Sequence, residues 1–314
     1  MSLAFLFPGQ GSQAVGMGAD LAAAFAGARA VFEEVDDALG QKLFALMRDG
    51  PIEDLTLTEN AQPALMAVSL AVMRSLHDEF AIGLERAAFV AGHSLGEYSA
   101  LAAAGAISLA DTARLLKLRG QAMQRAVPVG QGAMASLIGP KSDVALAEAA
   151  AAAGARLGVC VVANDNNPGN VVVSGEKAAV ERAIEEAKTL GARAILLNVS
   201  APFHCPLMQP AADEMAEALV RTNIAAPRAP LVSNVAARPT LDPETIRRLL
   251  IEQVTGRVRW RESIAWLAGE GGVTRFAEAG AGKTLTGMAG RIAPDAAAGA
   301  LNVPADLEAF AKTL

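Results

Sequence analysis

The sequence contains few of the residue types that build metal and disulfide sites. Its 314 residues include two cysteines, three histidines and one tyrosine. Cys160 and Cys205 are far apart and show no CxxC spacing, which argues against a zinc site and against a disulfide framework. We therefore expect no metal, no cofactor, a reducing compartment, and a Cys205 that is simply a small buried residue.

Positive charge and long apolar runs are also scarce. The 27 Lys and Arg residues are outnumbered by 33 Asp and Glu residues, and the net charge of −6 argues against a nucleic-acid binder. No apolar stretch approaches the roughly 20 residues needed to span a bilayer. The apolar run Leu3 to Phe7 lacks the basic residues that precede the core of a signal peptide. We expect a soluble, cytoplasmic protein that binds neither nucleic acid nor a membrane.

Hydrophobic residues make up 52% of the chain, and their pattern indicates the fold class. Short apolar runs, such as Leu3 to Phe7 and Ala87 to Ala91, alternate with longer Ala- and Leu-rich segments, of which Ala64 to Phe80 is one. This alternation is typical of a parallel sheet buried between helices. The sequence therefore predicts an α/β protein.

Residues 132–199 show a second rhythm. The predicted strands are 133–138, 157–163, 171–174 and 194–199, the predicted helices are 142–153 and 177–190, and 164–170 is a turn-rich run. The order βαββαβ is that of a ferredoxin-like unit. We therefore predict a small ferredoxin-like domain over 129–198, inserted into a large α/β domain formed by 1–128 and 199–314.

The strongest local signal is the GxSxG motif of Gly92 to Gly96. It follows a predicted strand and precedes a helical segment, where flanking glycines allow a strained turn that exposes a serine hydroxyl. Ser94 is therefore a candidate nucleophile, and the N–H of Leu95 is a candidate donor to an oxyanion. The alternative is a glycine-rich turn whose serine only caps the following helix.

A serine nucleophile needs a base, and three histidines are available. His93 adjoins Ser94, so at a tight turn its ring should point away from the hydroxyl. His77 lies near a helix end beside Asp78, where we expect it to be exposed. His204 remains as the candidate base, in a proline-containing segment where the small domain returns to the large one. A lone loop histidine with a structural role is the alternative.

Several further motifs occur with these residues in one order along the chain. They are Pro8-Gly9-Gln10-Gly11-Ser12-Gln13, Gly92-His93-Ser94-Leu95-Gly96, Asn164 to Gly175, Phe203-His204, Val258-Arg259-Trp260 and Glu278 to Leu285. In order and approximate spacing, the whole chain thereby resembles the malonyl-CoA:acyl carrier protein transacylases. The resemblance implies an α/β-hydrolase-like core with a ferredoxin-like insert, in agreement with the pattern of predicted elements.

The resemblance also implies a role for each of nine residues. Ser94 would be the nucleophile and His204 its base, and Gln253 would accept a hydrogen bond from the histidine through its amide oxygen. Gln10 would join the Leu95 amide at the oxyanion. The substrate-binding residues would be Arg119, Phe203, Met123 and Asn164, of which Arg119 would grip the free carboxylate of malonate and Phe203 would crowd a branched acyl group.

The implied reaction moves malonyl from malonyl-CoA to the phosphopantetheine thiol of a holo acyl carrier protein, through a malonyl ester on Ser94, in fatty acid synthesis. We expect a monomer. Because the family's carrier protein is acidic, we predict a basic landing surface from among Arg182, Lys188, Arg257 and Arg261. The alternatives are a trans-acting acyltransferase of polyketide synthesis, a serine esterase or thioester hydrolase, and a non-catalytic scaffold.

Overall fold

Two β-sheets organise the computed structural model, which describes residues 2–314. The strands are β1 Leu3–Phe7, β2 Ala87–Gly92, β3 Gly132–Ile138, β4 Cys160–Asn167, β5 Asn170–Glu176, β6 Arg193–Leu196, β7 Leu231–Val232, β8 Pro239–Thr240, β9 Arg275–Ala279 and β10 Ala297–Leu301. The α-helices are α1 Ala19–Ala24, α2 Ala26–Leu39, α3 Leu43–Asp49, α4 Ile52–Thr56, α5 Thr58–Phe80, α6 Gly96–Ala103, α7 Leu109–Ala126, α8 Val144–Gly154, α9 Lys177–Thr189, α10 Gln209–Arg221, α11 Pro243–Thr255, α12 Trp260–Ala268, α13 Thr284–Ile292 and α14 Pro304–Ala311.

The larger sheet is parallel over five strands, in the order β10-β9-β1-β2-β7, and β8 returns antiparallel to β7 at one edge. All five residues of β1 are buried, as expected for a strand covered on both faces. Phe7 pairs with Gly92 where β1 and β2 end. The loops that begin at Pro8 and at His93 therefore start side by side at the carboxyl edge of the sheet, where α/β proteins usually bind ligands.

The smaller sheet is antiparallel, in the order β4-β5-β3-β6, and α8 and α9 pack on it. Its strands and helices follow the predicted order βαββαβ, and the strand order is that of a ferredoxin-like unit. The α/β class with a parallel sheet and a second, antiparallel sheet is thus confirmed. A separate group of buried apolar residues lies between this sheet and its helices. The domain bounds at 129 and 198 stay a prediction.

The turn-rich interpretation of 164–170 is wrong for its first four residues. Residues 164–167 continue β4, with two irregularities in their register against β5, and only Pro168 and Gly169 form the turn. The polar side chains of this stretch are buried, and two of them bind partners outside the sheet: Asp165 binds Arg261, and Asn166 binds His93. The predicted strand at 194–199 also ends early, at Leu196.

Helix α5 begins six residues before the predicted start at Ala64, and it includes Pro63. Its first turn is approached closely by α7 at Gly120. A Cβ on Gly120 would lie 2.5 Å from the Glu59 Cα and 2.7 Å from the carbonyl oxygen of Thr58. The missing side chain lets the two helices meet there, and this contact sets the position of the neighbouring Arg119.

Among residues 2–314, no helix combines the length and the hydrophobicity that crossing a membrane requires.

We expect Gly120→Ala to destabilise the protein by about 1–3 kcal/mol, because the added methyl group would overlap main-chain atoms that cannot move independently. Gly287→Ala is the matched control, since Gly287 is also helical but its Cβ would point into open space. The control should be neutral or stabilising by up to about 1 kcal/mol. Denaturant unfolding of both variants measures the difference, and equal stability of the two would contradict the close approach.

Candidate active site

Ser94 lies in a strained turn between β2 and α6. Its φ angle is +53°, in the left-handed region that non-glycine residues rarely adopt. A Cβ on Gly92 would collide with the main chain of Gly96, and one on Gly96 would collide with the carbonyl oxygen of Phe7. Both glycines are therefore required for the chain to turn so tightly. The turn has the geometry expected of a nucleophile elbow.

Asn234, in the turn that follows the neighbouring strand β7, stabilises the turn at Ser94. Its Oδ1 accepts a hydrogen bond from the N–H of Ser94 at 2.7 Å, and its Nδ2 donates to the carbonyl oxygen of Gly92 at 2.6 Å. Since the N–H of Ser94 is occupied, the N–H of Leu95 is the next main-chain donor available to an oxyanion. The sequence analysis missed Asn234, although a polar residue just after a buried strand was a usable signal. The two-residue β7 was too short to be recognised.

His204 meets the candidate nucleophile. Its Nε2 lies 2.8 Å from the Oγ of Ser94, and its Nδ1 lies 2.9 Å from the main-chain carbonyl oxygen of Gln253. Because a carbonyl oxygen only accepts, Nδ1 carries the proton and the unprotonated Nε2 faces the serine hydroxyl. This is the tautomer that a general base requires.

The expected role of the Gln253 side chain is therefore corrected. The atom that accepts the hydrogen bond from His204 is the main-chain oxygen of Gln253. The amide Oε1 accepts instead from Arg119 at 2.8 Å, and Nε2 donates to the carbonyl oxygen of Ser94 and to Glu97. Sequence alone cannot separate the two oxygens of one glutamine, since the choice depends on the direction in which α11 presents the residue.

Burial lowers the pKa of His204 to about 3, and the positive charge of Arg119 acts in the same direction. The main-chain hydrogen bond to Gln253 opposes the shift without cancelling it. The imidazole is therefore neutral at physiological pH and ready to accept a proton.

Arg119 is 2% exposed and lies among polar partners. One terminal nitrogen donates to the Oε1 of Gln62 at 2.8 Å, and the other donates to Gln253 and, at 3.2 Å, to the Oγ of Ser94. The ring of Tyr98 lies 5.7 Å from the guanidinium carbon. Burial lowers the pKa of Arg119 below its ordinary value, yet an arginine remains charged after such a shift. A permanent positive charge thus lies beside the candidate nucleophile.

Glu97 is the buried carboxyl group nearest to this charge in the hydrogen-bond network. It is fully buried and accepts a hydrogen bond from Gln253 at 2.6 Å. Burial raises its pKa to about 7, against the lowering effects of the Gln253 amide and of Arg119. The sequence analysis named neither Glu97 nor Gln62. Gln62 was missed because the predicted helix began after it.

A cavity of about 330 Å³ lies between the two sheets and brings together eight of the nine predicted site residues. They are Gln10, Ser94, Leu95, Arg119, Met123, Asn164, Phe203 and His204. Gln253 is fully buried and lies behind the wall, in contact with His204 and Arg119. The smaller sheet contributes Met134 and Val172. A mostly apolar space with one buried cation suits a small acyl group that ends in a carboxylate.

The remaining histidines and cysteines lie where the sequence analysis placed them. The Nε2 of His93 lies 3.0 Å from Asn166, so the ring points away from the Ser94 hydroxyl. The side chain of His77 is 69% exposed beside Asp78. Cys205 is buried, and its Sγ donates to the carbonyl oxygen of Pro202. Residues 2–314 contain no group of three or more His, Cys, Asp or Glu side chains placed to hold a metal ion.

Comparison with known proteins gives one consistent family. A sequence profile described as an acyl transferase domain matches residues 4–288. The malonyl CoA-acyl carrier protein transacylase of Escherichia coli K12 is 45% identical over 98% of this chain and 97% of its own length. The protein of the same name from Bacillus subtilis strain 168 is 43% identical over 99% of this chain and 97% of its own length.

Solved structures agree with the sequence relatives. The acyl-carrier-protein S-malonyltransferase from Bartonella henselae superimposes with a TM-score of 0.96 at 54% identity, covering 100% of this chain and 99% of its own. A malonyl-transacylase solved in complex with its type II polyketide synthase acyl carrier protein superimposes with the same score at 42% identity, covering both chains fully.

We expect the reactivity of Ser94 to persist in acid, because a lowered pKa keeps His204 neutral as the pH falls. The rate of labelling by an uncharged fluorophosphonate should stay nearly constant down to roughly pH 5, where a histidine of ordinary pKa near 6.5 would be almost fully protonated. Circular dichroism at each pH controls for unfolding. A labelling rate that halves near pH 6.5 in folded protein would show that the pKa of His204 is not lowered.

We expect Gln253→Met to slow the same labelling less than about tenfold, because the main-chain carbonyl that orients His204 is retained. His204→Ala is the reference, and its rate should fall at least about a thousandfold. If the two variants are equally slow, His204 needs the side-chain amide of Gln253 in order to act as a base.

Proposed function

Because the chain belongs to the acyl transferase domain family, among the malonyl CoA-acyl carrier protein transacylases, we propose that it moves malonyl from malonyl-CoA to an acyl carrier protein through an ester on Ser94. It is an acyl-carrier-protein S-malonyltransferase. The observation that carries the two-step proposal is the contact of Ser94 Oγ with both the base His204 and the cation Arg119.

The first step forms the acyl-enzyme. The Oγ of Ser94 attacks the thioester carbon while its proton passes to the Nε2 of His204, and the negative charge that develops on the carbonyl oxygen is held by the N–H of Leu95 and the side chain of Gln10. The carbon–sulfur bond then breaks, and His204 returns the proton to the sulfur of the departing coenzyme A. A malonyl ester remains on Ser94.

Arg119 selects the acyl group. The malonyl carboxylate offers two oxygens to the guanidinium, which donates several hydrogen bonds in one plane. A neutral acyl group leaves the buried cation without an anionic partner, which costs binding free energy relative to malonyl. The ring of Phe203, beside His204 on the cavity wall, disfavours a branched acyl chain, while Met123 and Asn164 line the remaining space.

Arg119 also couples the choice of substrate to the chemistry. Its positive charge lowers the pKa of His204 and so weakens the histidine as a base. A bound malonyl carboxylate neutralises this charge, which raises the pKa of His204 and stabilises the imidazolium that forms during attack. Acylation is therefore favoured when the acyl group carries the carboxylate, and part of the selectivity is expressed in the transition state.

The second step returns the enzyme to its starting state. The phosphopantetheine thiol of the carrier enters in place of coenzyme A and loses its proton to His204. Its sulfur attacks the ester carbon, the bond to Ser94 Oγ breaks, and the serine recovers the proton. The same base thus serves both halves of a ping-pong reaction. We further propose that the protein acts as a monomer in the cytoplasm, in fatty acid synthesis.

The predicted landing surface for an acidic carrier stays a prediction. Arg257 pairs with Glu148, and Arg261 pairs with the buried Asp165. Arg182 pairs with both Glu185 and Glu186 on its own helix. Docking at these arginines would have to compete with their present partners.

A role in polyketide synthesis is the second candidate, because one structural relative was solved with a polyketide synthase carrier. The chemistry at Ser94 would be the same, so the candidates differ only in the carrier that accepts malonyl. Transfer to purified carriers of both kinds distinguishes them.

Mixing the protein with malonyl-CoA in the absence of any carrier tests the covalent step. Mass spectrometry of the intact chain should show one malonyl group, which is absent in Ser94→Ala and much weaker with acetyl-CoA. Arg119→Ala should slow malonyl loading by about a hundredfold, the effect of losing charge-assisted hydrogen bonds, and should not slow acetyl loading, because acetyl has no carboxylate to pair with the cation. Steady release of coenzyme A without an adduct would favour a thioester hydrolase. Neither adduct nor release would mean that malonyl-CoA is not the donor.

A further inference from the structure

Four polar side chains form a continuous hydrogen-bonded chain from the carboxylate-binding cation to the candidate oxyanion donor. Arg119 donates to the Oε1 of Gln62 at 2.8 Å. The Nε2 of Gln62 donates to the Oγ1 of Thr58 at 3.0 Å, and the Oγ1 of Thr58 donates to the Oε1 of Gln10 at 3.0 Å. Thr58 and Gln62 lie one turn apart on α5, so both face the same way.

The directions of the first two bonds in this chain follow from Arg119, and the structure gives the third. An arginine only donates, so Gln62 must present its oxygen to Arg119 and its nitrogen to Thr58. The Thr58 hydroxyl receives that bond and has one hydrogen left, which goes to Gln10. Gln10 thus presents its Oε1 to Thr58. The Nε2 of Gln10 therefore points away from Thr58, and it donates to no protein atom within residues 2–314.

We propose that Thr58 is a positioning residue that fixes the amide orientation of Gln10, so that the Nε2 of Gln10 donates to the oxyanion formed at Ser94. This inference rests on the oxyanion role proposed for Gln10. Without the hydroxyl of Thr58, the amide of Gln10 could turn and present its oxygen to the oxyanion, which would repel it.

The placement of Thr58 supports an indirect role. Thr58 is 1% exposed and is not among the described residues that line the cavity, whereas Gln10 and Gln62 are. It therefore touches no substrate and acts through its neighbours. At Gly120, α7 lies against the main chain of Thr58 and Glu59. This contact holds Arg119 on α7 close to the residues of α5 that belong to the hydrogen-bonded chain.

The test compares Thr58→Val, which keeps the shape and removes the hydroxyl, with Thr58→Ser, which keeps the hydroxyl. Thr58→Val should slow malonyl loading of Ser94 about tenfold, a fraction of the loss seen when an oxyanion donor is removed outright, and Thr58→Ser should stay within about twofold of the parent. A fluorophosphonate, whose phosphonyl oxygen occupies an oxyanion site whatever the natural donor, provides a second rate. Thermal unfolding is recorded for each variant.

A double-mutant cycle with Gln10→Ala separates positioning from general damage. If Thr58 acts through Gln10, Thr58→Val should change neither rate more than about twofold in the Gln10→Ala background. A further tenfold loss there would overturn the proposal, as would a Thr58→Val protein as fast as the parent.

If Thr58→Val does not fold, Thr58→Ala replaces it in the same cycle. If the parent protein reacts with the fluorophosphonate but forms no malonyl adduct, malonyl-CoA is not the acyl donor. The fluorophosphonate rates then still test the role of Thr58. A parent unreactive with both would contradict the oxyanion site itself.

Discussion

The rest of the site depends on a positive charge that is held inside the protein beside the candidate nucleophile Ser94. Arg119 is almost fully buried, and a buried guanidinium without hydrogen-bond acceptors would be strongly destabilising. Gln62 and Gln253 supply those acceptors from two different helices. Gly120 allows α7 to approach α5 closely enough for Arg119 to reach Gln62. Neutral amides satisfy the donors without cancelling the charge, which leaves Arg119 available to an incoming carboxylate.

The same charge explains how His204 and Arg119 can share one cavity. Two cations side by side would repel each other, and the structure avoids this by keeping the imidazole neutral through burial and through a main-chain acceptor for Nδ1. Gln253 serves both groups at once, with its main chain on the histidine and its amide on the arginine. In the proposed reaction, a substrate carboxylate relieves the repulsion between the two cations when the histidine takes up a proton.

The α/β class followed from the alternation of apolar runs and helical segments, because burial on both faces of a sheet requires it, and the order βαββαβ of the smaller sheet and its helices followed from the same kind of pattern. Residues 164–167 are an exception: their composition is typical of turns, yet they form part of a strand in which Asp165 and Asn166 bind partners far away in sequence. Arg261 binds Asp165, and Val258 accepts a hydrogen bond from the main chain of Asp165. Local composition carries no information about such distant partners, so the pattern there pointed to the wrong structure.

The sequence by itself predicted the fold class and pointed to Ser94 as the candidate nucleophile and His204 as the candidate base, because a glycine-flanked turn and the scarcity of histidines leave few other choices. The resemblance added Arg119 and Gln10. Only the tertiary structure decided which oxygen of Gln253 holds the histidine, that Asn234 braces the turn, and that Thr58 and Gln62 join Gln10 to Arg119. Those contacts join residues that are far apart along the chain, and their donors and acceptors are assigned by distance and direction, which a linear pattern does not contain.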